Sequence, residues 1–152
     1  MSELRIRAGP LERLVYDQQL NSTVSVKLMD YKVLGEHVRD TYRESAAQYR
    51  QDDEIEIATD VHRRLTGILA NLTSSYNHPI TVLDVGCGTG RYFHCLKNVR
   101  RLKGIDVCDE MLRIAQNPVR QEEITVNEIQ LSCENVFLAK FPPGSFDFIY
   151  SL

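Results

Sequence analysis

The sequence lacks most of what would mark a membrane, secreted or nucleic-acid-binding protein. No apolar run approaches the roughly 18 residues that a membrane-spanning helix needs. The opening stretch MSELRIRAGPLERL has no long apolar centre of the signal-peptide kind. Cys87, Cys95, Cys108 and Cys133 form neither a CxxC pair nor a zinc-type spacing. They read as reduced, mostly buried thiols of a cytoplasmic protein. His37, His62, His78 and His94 make no HExxH set and read as surface or core histidines, so no metal is expected. Basic residues are not in excess: the net charge is -3, which gives no electrostatic reason for a nucleic-acid partner. The single basic cluster, Arg100, Arg101 and Lys103, reads as a solvated helix end or loop. There is no internal repeat and no low-complexity segment.

What remains is an ordinary globular composition, 43% hydrophobic and 26% charged over 152 residues. A chain of that length can bury about 70% of its extended surface. It divides near Ser74–Pro79, into a helical segment (1–78) and an alternating strand–helix segment (79–152). Residues 1–32 fit a short helix pair or a mobile arm, with weak alternation in TVSVKLMDY. Helical spacing runs from Tyr31 to Tyr49. A clearer helix is predicted from about Asp53 to Leu72, with Ala58, Val61, Leu65, Ile68, Leu69 and Leu72 on one face and Asp52 or Asp53 as its cap.

The second half begins with PITVLDV, a β-branched run suited to a strand buried on both faces. GCGTG follows as a turn, with a helix expected from Arg91 to about Val99. LKGIDV (102–107) is a second strand and Asp109 to about Gln116 a second helix, ended near Pro118. A third strand is expected over about 125–131, and FDFIYSL as a fourth. This alternation predicts an α/β, Rossmann-like parallel sheet of about four strands with right-handed crossovers, preceded by the helical segment.

In such a sheet a ligand binds beyond the carboxyl ends of the strands, where the glycine turn lies. Gly86 permits the turn, Gly88 keeps the ligand's path free of a side chain, and Gly90 lets the chain pack closely at the next helix start. Phosphate fits poorly. The glycines run GxGxG rather than GxGxxG, the P-loop pattern is absent, and Asp84 at the strand mouth would repel a pyrophosphate but suit an ammonium or sulfonium. Asp106, at the end of the second strand, is placed to accept bonds from both hydroxyls of a ribose, and Val107 and Met111 to pack on a flat adenine face. Taken singly, Met111 is more often a core residue than a cofactor contact, and Asp106 could be only a helix cap.

LDVGCGTGRY, then GIDVCDEMLRIA, then FPPGSFDFIYSL, together resemble the class I S-adenosylmethionine-dependent methyltransferases over about half of the chain. The resemblance implies S-adenosylmethionine as cofactor, with Gly86, Gly88 and Gly90 along its methionine and ribose portion and Asp84 near its amino end. It also implies Asp106 on the ribose and Val107 and Met111 flanking the adenine. Tyr49, in AAQYRQ, resembles the tyrosine of a helix that covers the cofactor in relatives. Two departures stand out. Relatives often carry Gly-Asp-Ala after the third strand; here LSCEN puts Ser132 and Cys133 near the adenine, the side-chain acceptor being weakened or moved to Glu134. The family's sheet has seven strands, whereas this sequence reaches four.

The function implied is direct displacement of a methyl group onto a small-molecule acceptor, with no general base assignable and no membrane partner. An open fourth-strand edge implies poor stability or self-association. Two alternatives stay open: a non-catalytic cofactor-binding fragment or regulatory partner, and an NAD-binding oxidoreductase fragment.

Overall fold

The computed structural model describes the backbone of residues 12–17 and 22–27 and all of residues 30–152. The remaining N-terminal positions of the predicted helix pair or arm lie outside the described residues. Where the backbone is described it is not helical. β1 (Glu12–Asp17) and β2 (Ser22–Lys27) pair antiparallel, Glu12 opposite Lys27 and Asp17 opposite Ser22. The weak alternation of TVSVKLMDY is therefore a strand signal.

Two helices follow. α1 (Tyr31–Glu56) starts where the Asp30 carboxylate accepts the Lys32 N–H at 2.8 Å. α2 (Asp60–Ser74) is capped by Thr59, whose hydroxyl accepts the His62 N–H at 3.1 Å. The expected helix from Asp53 to Leu72 is thus two helices broken at residues 57–59, and neither Asp52 nor Asp53 is a cap. Its expected apolar face is packed only in part, at Leu69 and Leu65. Val61, Ile68 and Leu72 are exposed, while His62, Leu69 and Thr73 are buried. α2 presents these three to the core, and the Thr73 hydroxyl accepts the Lys97 N–H there at 2.9 Å.

The main sheet consists of β3 (Ile80–Val85), β4 (Val99–Asp106), β5 (Glu128–Cys133) and β6 (Phe148–Tyr150). All pairs are parallel, in the order β5-β4-β3-β6. Ile80, Val82, Phe93, Leu96 and Leu102 are fully buried between this sheet and α2 with the β3–β4 connection; each contributes about 1.5–3 kcal/mol by burial. β4 begins three residues earlier than predicted. It carries Arg100, Arg101 and Lys103, which are strand residues and not a helix end or loop: Arg101 pairs with Glu128 at 2.9 Å and Lys103 with Glu134 at 2.8 Å. α3 (Asp109–Ala115) forms as expected.

The helix expected from Arg91 to Val99 is absent. Only a single 3-10 turn, Phe93–Cys95, forms, and Leu96 returns to extended backbone. Gly90 has φ of +78°, and a Cβ there would stand 2.7 Å from the Phe93 ring. The chain doubles back onto Phe93 and enters β4 within a few residues, leaving no length for a longer helix.

Candidate functional site

The strand order reverses at β3, with β4 on one side and β6 on the other. A cavity of about 570 Å³ opens at the carboxyl ends of these strands. Asp84, Gly86, Gly88, Asp106, Val107, Met111 and Tyr49 line it. Gly90 does not: its space is taken by Phe93, so its role is the close packing read from the sequence and not contact with a ligand. Ser132 and Cys133 do not line this cavity either. β5 ends with its Asp106↔Cys133 register pair, and the chain then turns so that Glu134, Asn135, Val136 and Phe137 face the hollow instead.

The floor is the glycine bend. Gly86 and Gly88 have φ of +73° and +53°, and a Cβ on either would meet nothing within 4 Å. They leave open volume where any other residue would put atoms and strain. Most of the bend's N–H groups are turned inward: Gly86 and Cys87 donate to the Ile105 carbonyl at 2.8 and 3.0 Å, and Gly90 to the Cys87 carbonyl at 2.9 Å. Gly88 donates to Asp106 Oδ2 at 2.9 Å. With these four donors spent and no α-helix starting behind them, the bend offers little to an anion. A pyrophosphate has little to hold here.

The two acids differ. Asp84 is buried, with 3% of its surface exposed, and accepts the Tyr150 hydroxyl on Oδ2 at 2.7 Å. Desolvation, against the help of that hydrogen bond, raises its pKa from 3.8 to about 7, and nearby Asp106 adds to the rise. Asp106 is half-buried; its Oδ1 accepts the Cys108 N–H and its Oδ2 the Gly88 N–H, each at 2.9 Å. One lone pair remains on each oxygen.

α1 forms the wall facing the sheet. Leu34, Val38, Tyr42 and Tyr49 line the cavity from it, the Tyr42 and Tyr49 rings 5.5 Å apart. Burial raises the Tyr49 pKa. The helix is fastened at both ends. At its start Asn135 Nδ2 donates to the Tyr31 carbonyl at 2.8 Å, and Tyr31 stacks on Phe137 at 4.4 Å. Near its end the fully buried Asp53 accepts from the Thr89 hydroxyl and from Arg91 Nε, both in the glycine bend. Sequence reasoning missed Asn135, Phe137, Thr89, Arg91 and the role of Asp53. Among the described residues no group of three His, Cys, Asp or Glu is placed to hold a metal ion, and no helix is long and apolar enough to cross a membrane.

Residues 82–152 match the family model described as a methyltransferase domain, on the parallel sheet and glycine bend just set out. That match is consistent with a class I S-adenosylmethionine-dependent methyltransferase domain. Solved structures share the Rossmann-like methyltransferase fold. Magnesium protoporphyrin IX methyltransferase from Synechocystis PCC 6803, with bound SAH, is 19% identical with a TM-score of 0.56, over 80% of this chain and 58% of that one. Phosphoethanolamine N-methyltransferase 1 from Haemonchus contortus, in complex with phosphoethanolamine and S-adenosylhomocysteine, is 16% identical with a TM-score of 0.55, over 81% of this chain and 26% of that one. The chain therefore spans 58% of the Synechocystis enzyme's length. No curated protein sequence matches it significantly.

Proposed function

We propose that this chain binds S-adenosylmethionine in the cavity at the β3–β6 reversal and serves methyl transfer to a small-molecule acceptor. One observation carries the reading: two carboxylates, Asp84 and Asp106, border a single hollow whose floor, at Gly86 and Gly88, is free of side chains. When bound, the cofactor supplies an activated methyl group on a positively charged sulfur. Asp106 holds the ribose hydroxyls with its remaining lone pairs. Asp84 lies toward the cationic end, where an ammonium or sulfonium offsets its desolvation. Val107 and Met111 take one face of the adenine and Val136 and Phe137 the other, with Glu134 and Asn135 at its edge in place of Ser132 and Cys133. Tyr42 and Tyr49 close the wall and keep water from the sulfur. The residues align the acceptor and exclude solvent; none is assigned as a general base.

A small acceptor is favoured by a surface without basic excess, and the Haemonchus neighbour, with its phosphoethanolamine, is one such enzyme. The inward-turned N–H groups of the bend disfavour NAD. Residues 1–78 act as cover and substrate-side wall and 79–152 as the cofactor half. Four free cysteines, three of them buried, favour the cytoplasm. β6 is the outer strand, with Ile149 exposed, and offers an edge for self-association; sedimentation velocity over a concentration series tests this.

The deciding experiment is calorimetric titration of the chain with S-adenosylhomocysteine (SAH) and, separately, with NAD. Saturable binding of SAH alone is expected; binding of NAD alone would overturn the reading. Methyl transfer from labelled cofactor to a panel of small amines, alcohols and acids then separates an enzyme from a binding protein.

A further inference from the structure

Arg91 occupies a position that the glycine pattern alone does not explain. Among the described residues lining the cavity it is the only lysine or arginine, against three acids, Asp84, Asp106 and Glu134. Its side chain is largely buried, 22% exposed, and its Nε donates to the fully buried Asp53. No carboxylate lies within hydrogen-bond distance of its terminal nitrogens: Nη1 stands 4.0 Å from the half-exposed Glu56 carboxylate, and the neighbouring group is the Tyr92 hydroxyl. A guanidinium gripped on its Nε side by a buried carboxylate is fixed in orientation, and its terminal donors suit a second planar anion. Asp53 also accepts the Thr89 hydroxyl, which ties this orientation to the bend itself.

Resting on the cofactor reading above, we infer that Arg91 is the receptor for the carboxylate of the cofactor's amino-acid portion, and that Asp53 is the positioning residue that aims it. The chemistry leaves the ligand's carboxylate no other cationic partner in this hollow. Asp84 serves its cationic end, Asp106 its ribose hydroxyls and Glu134 the adenine edge. Arg91 therefore orients the amino-acid arm, so that the sulfur sits over the open bend with one end of the ligand anchored at Asp106 and the other at Arg91. Glu56, exposed and at the limit of ion-pair distance, yields to a ligand carboxylate at little cost.

Three probes test this by calorimetry on the whole chain: SAH, its decarboxylated analogue, and 5′-methylthioadenosine, which lacks the amino-acid arm. The wild-type chain is expected to bind SAH about 10- to 100-fold more tightly than the decarboxylated analogue, the range for charge-assisted bonds. Arg91→Gln is expected to erase that preference and to leave 5′-methylthioadenosine binding unchanged. Asp53→Asn is expected to reduce the preference with 5′-methylthioadenosine again unchanged; a merely structural residue would lower affinity for all three probes alike. Equal wild-type affinity for SAH and its decarboxylated analogue overturns the assignment of Arg91 without recourse to any variant. Equal loss of all three probes in Asp53→Asn overturns its positioning role. Failure of the wild-type chain to bind any of the three overturns the cofactor reading itself, and the assignment falls with it.

Discussion

Replacing Asp84 by asparagine should make the protein more stable at pH 8 while leaving it little changed near pH 4. Its carboxylate is buried, with one hydrogen bond from the Tyr150 hydroxyl at 2.7 Å and no cationic partner among the described residues. Burial lifts its pKa from 3.8 to about 7. Between those values the folded protein holds a proton that the unfolded chain has released, so unfolding gives up a proton and stability falls as pH rises. At about 1.4 kcal/mol per pH unit, the gap is worth on the order of 4 kcal/mol, an upper value because the cavity admits water. The Asp84→Asn side chain would keep an acceptor for Tyr150 and carry no charge. Urea denaturation of both proteins at intervals from pH 4 to 8 measures the effect. The difference in unfolding free energy should grow in favour of the variant by about 2–4 kcal/mol across that range. A difference that does not change with pH would show that Asp84 titrates normally and is not desolvated. The same penalty has a use: a cationic ligand would relieve it, so binding near pH 7 should release a proton, visible as a dependence of the calorimetric heat on buffer ionisation enthalpy.

Asp106→Ala should weaken SAH binding by about 2 kcal/mol, near 30-fold. It should also lower the melting temperature, because the Gly88 and Cys108 N–H groups lose their acceptor. Gly88→Val should abolish SAH binding in the same titration, since φ of +53° strains the new residue and its side chain fills open cavity; Gly90→Val should instead cost stability, about 1–3 kcal/mol by urea denaturation, by colliding with Phe93. His62 and His94 are buried, their rings 5.6 Å apart, and desolvation lowers both pKa values from 6.5. Below about pH 6.5 the unfolded chain takes up protons that the folded one refuses. Stability therefore falls as pH drops, opposite in sign to the Asp84 effect, and His62→Phe should flatten that acid limb in urea titrations.

The legible parts of this protein are those encoded over short stretches. β-branched PITVLDV, the glycines beside it and Asp106 closing LKGID sit within a few residues of the features they define, and each of the two acids reached the cavity. The missed parts depend on distant partners. Asp53 lies in the last turn of α1, where its carboxylate meets Thr89 and Arg91, 36 and 38 residues further on, and no local pattern distinguishes it from a cap. The apolar positions of α2 misled for a similar reason: periodicity gives an apolar stripe but not which neighbour covers it, and the core took His62 and Thr73 while Val61 and Ile68 faced out. The helix after Gly90 failed because a positive φ and the Phe93 contact bend the chain early. The cavity wall expected at Ser132 and Cys133 lies instead at Glu134–Phe137 because β5 runs two residues beyond its expected end.

The most direct test is a two-dimensional amide NMR titration of the labelled chain with SAH. The account predicts saturable shifts confined to Gly86–Thr89, Asp106–Cys108, Asn135–Phe137 and the cavity face of α1. An unchanged spectrum, or shifts that leave the glycine bend and Asp106 untouched, would contradict it.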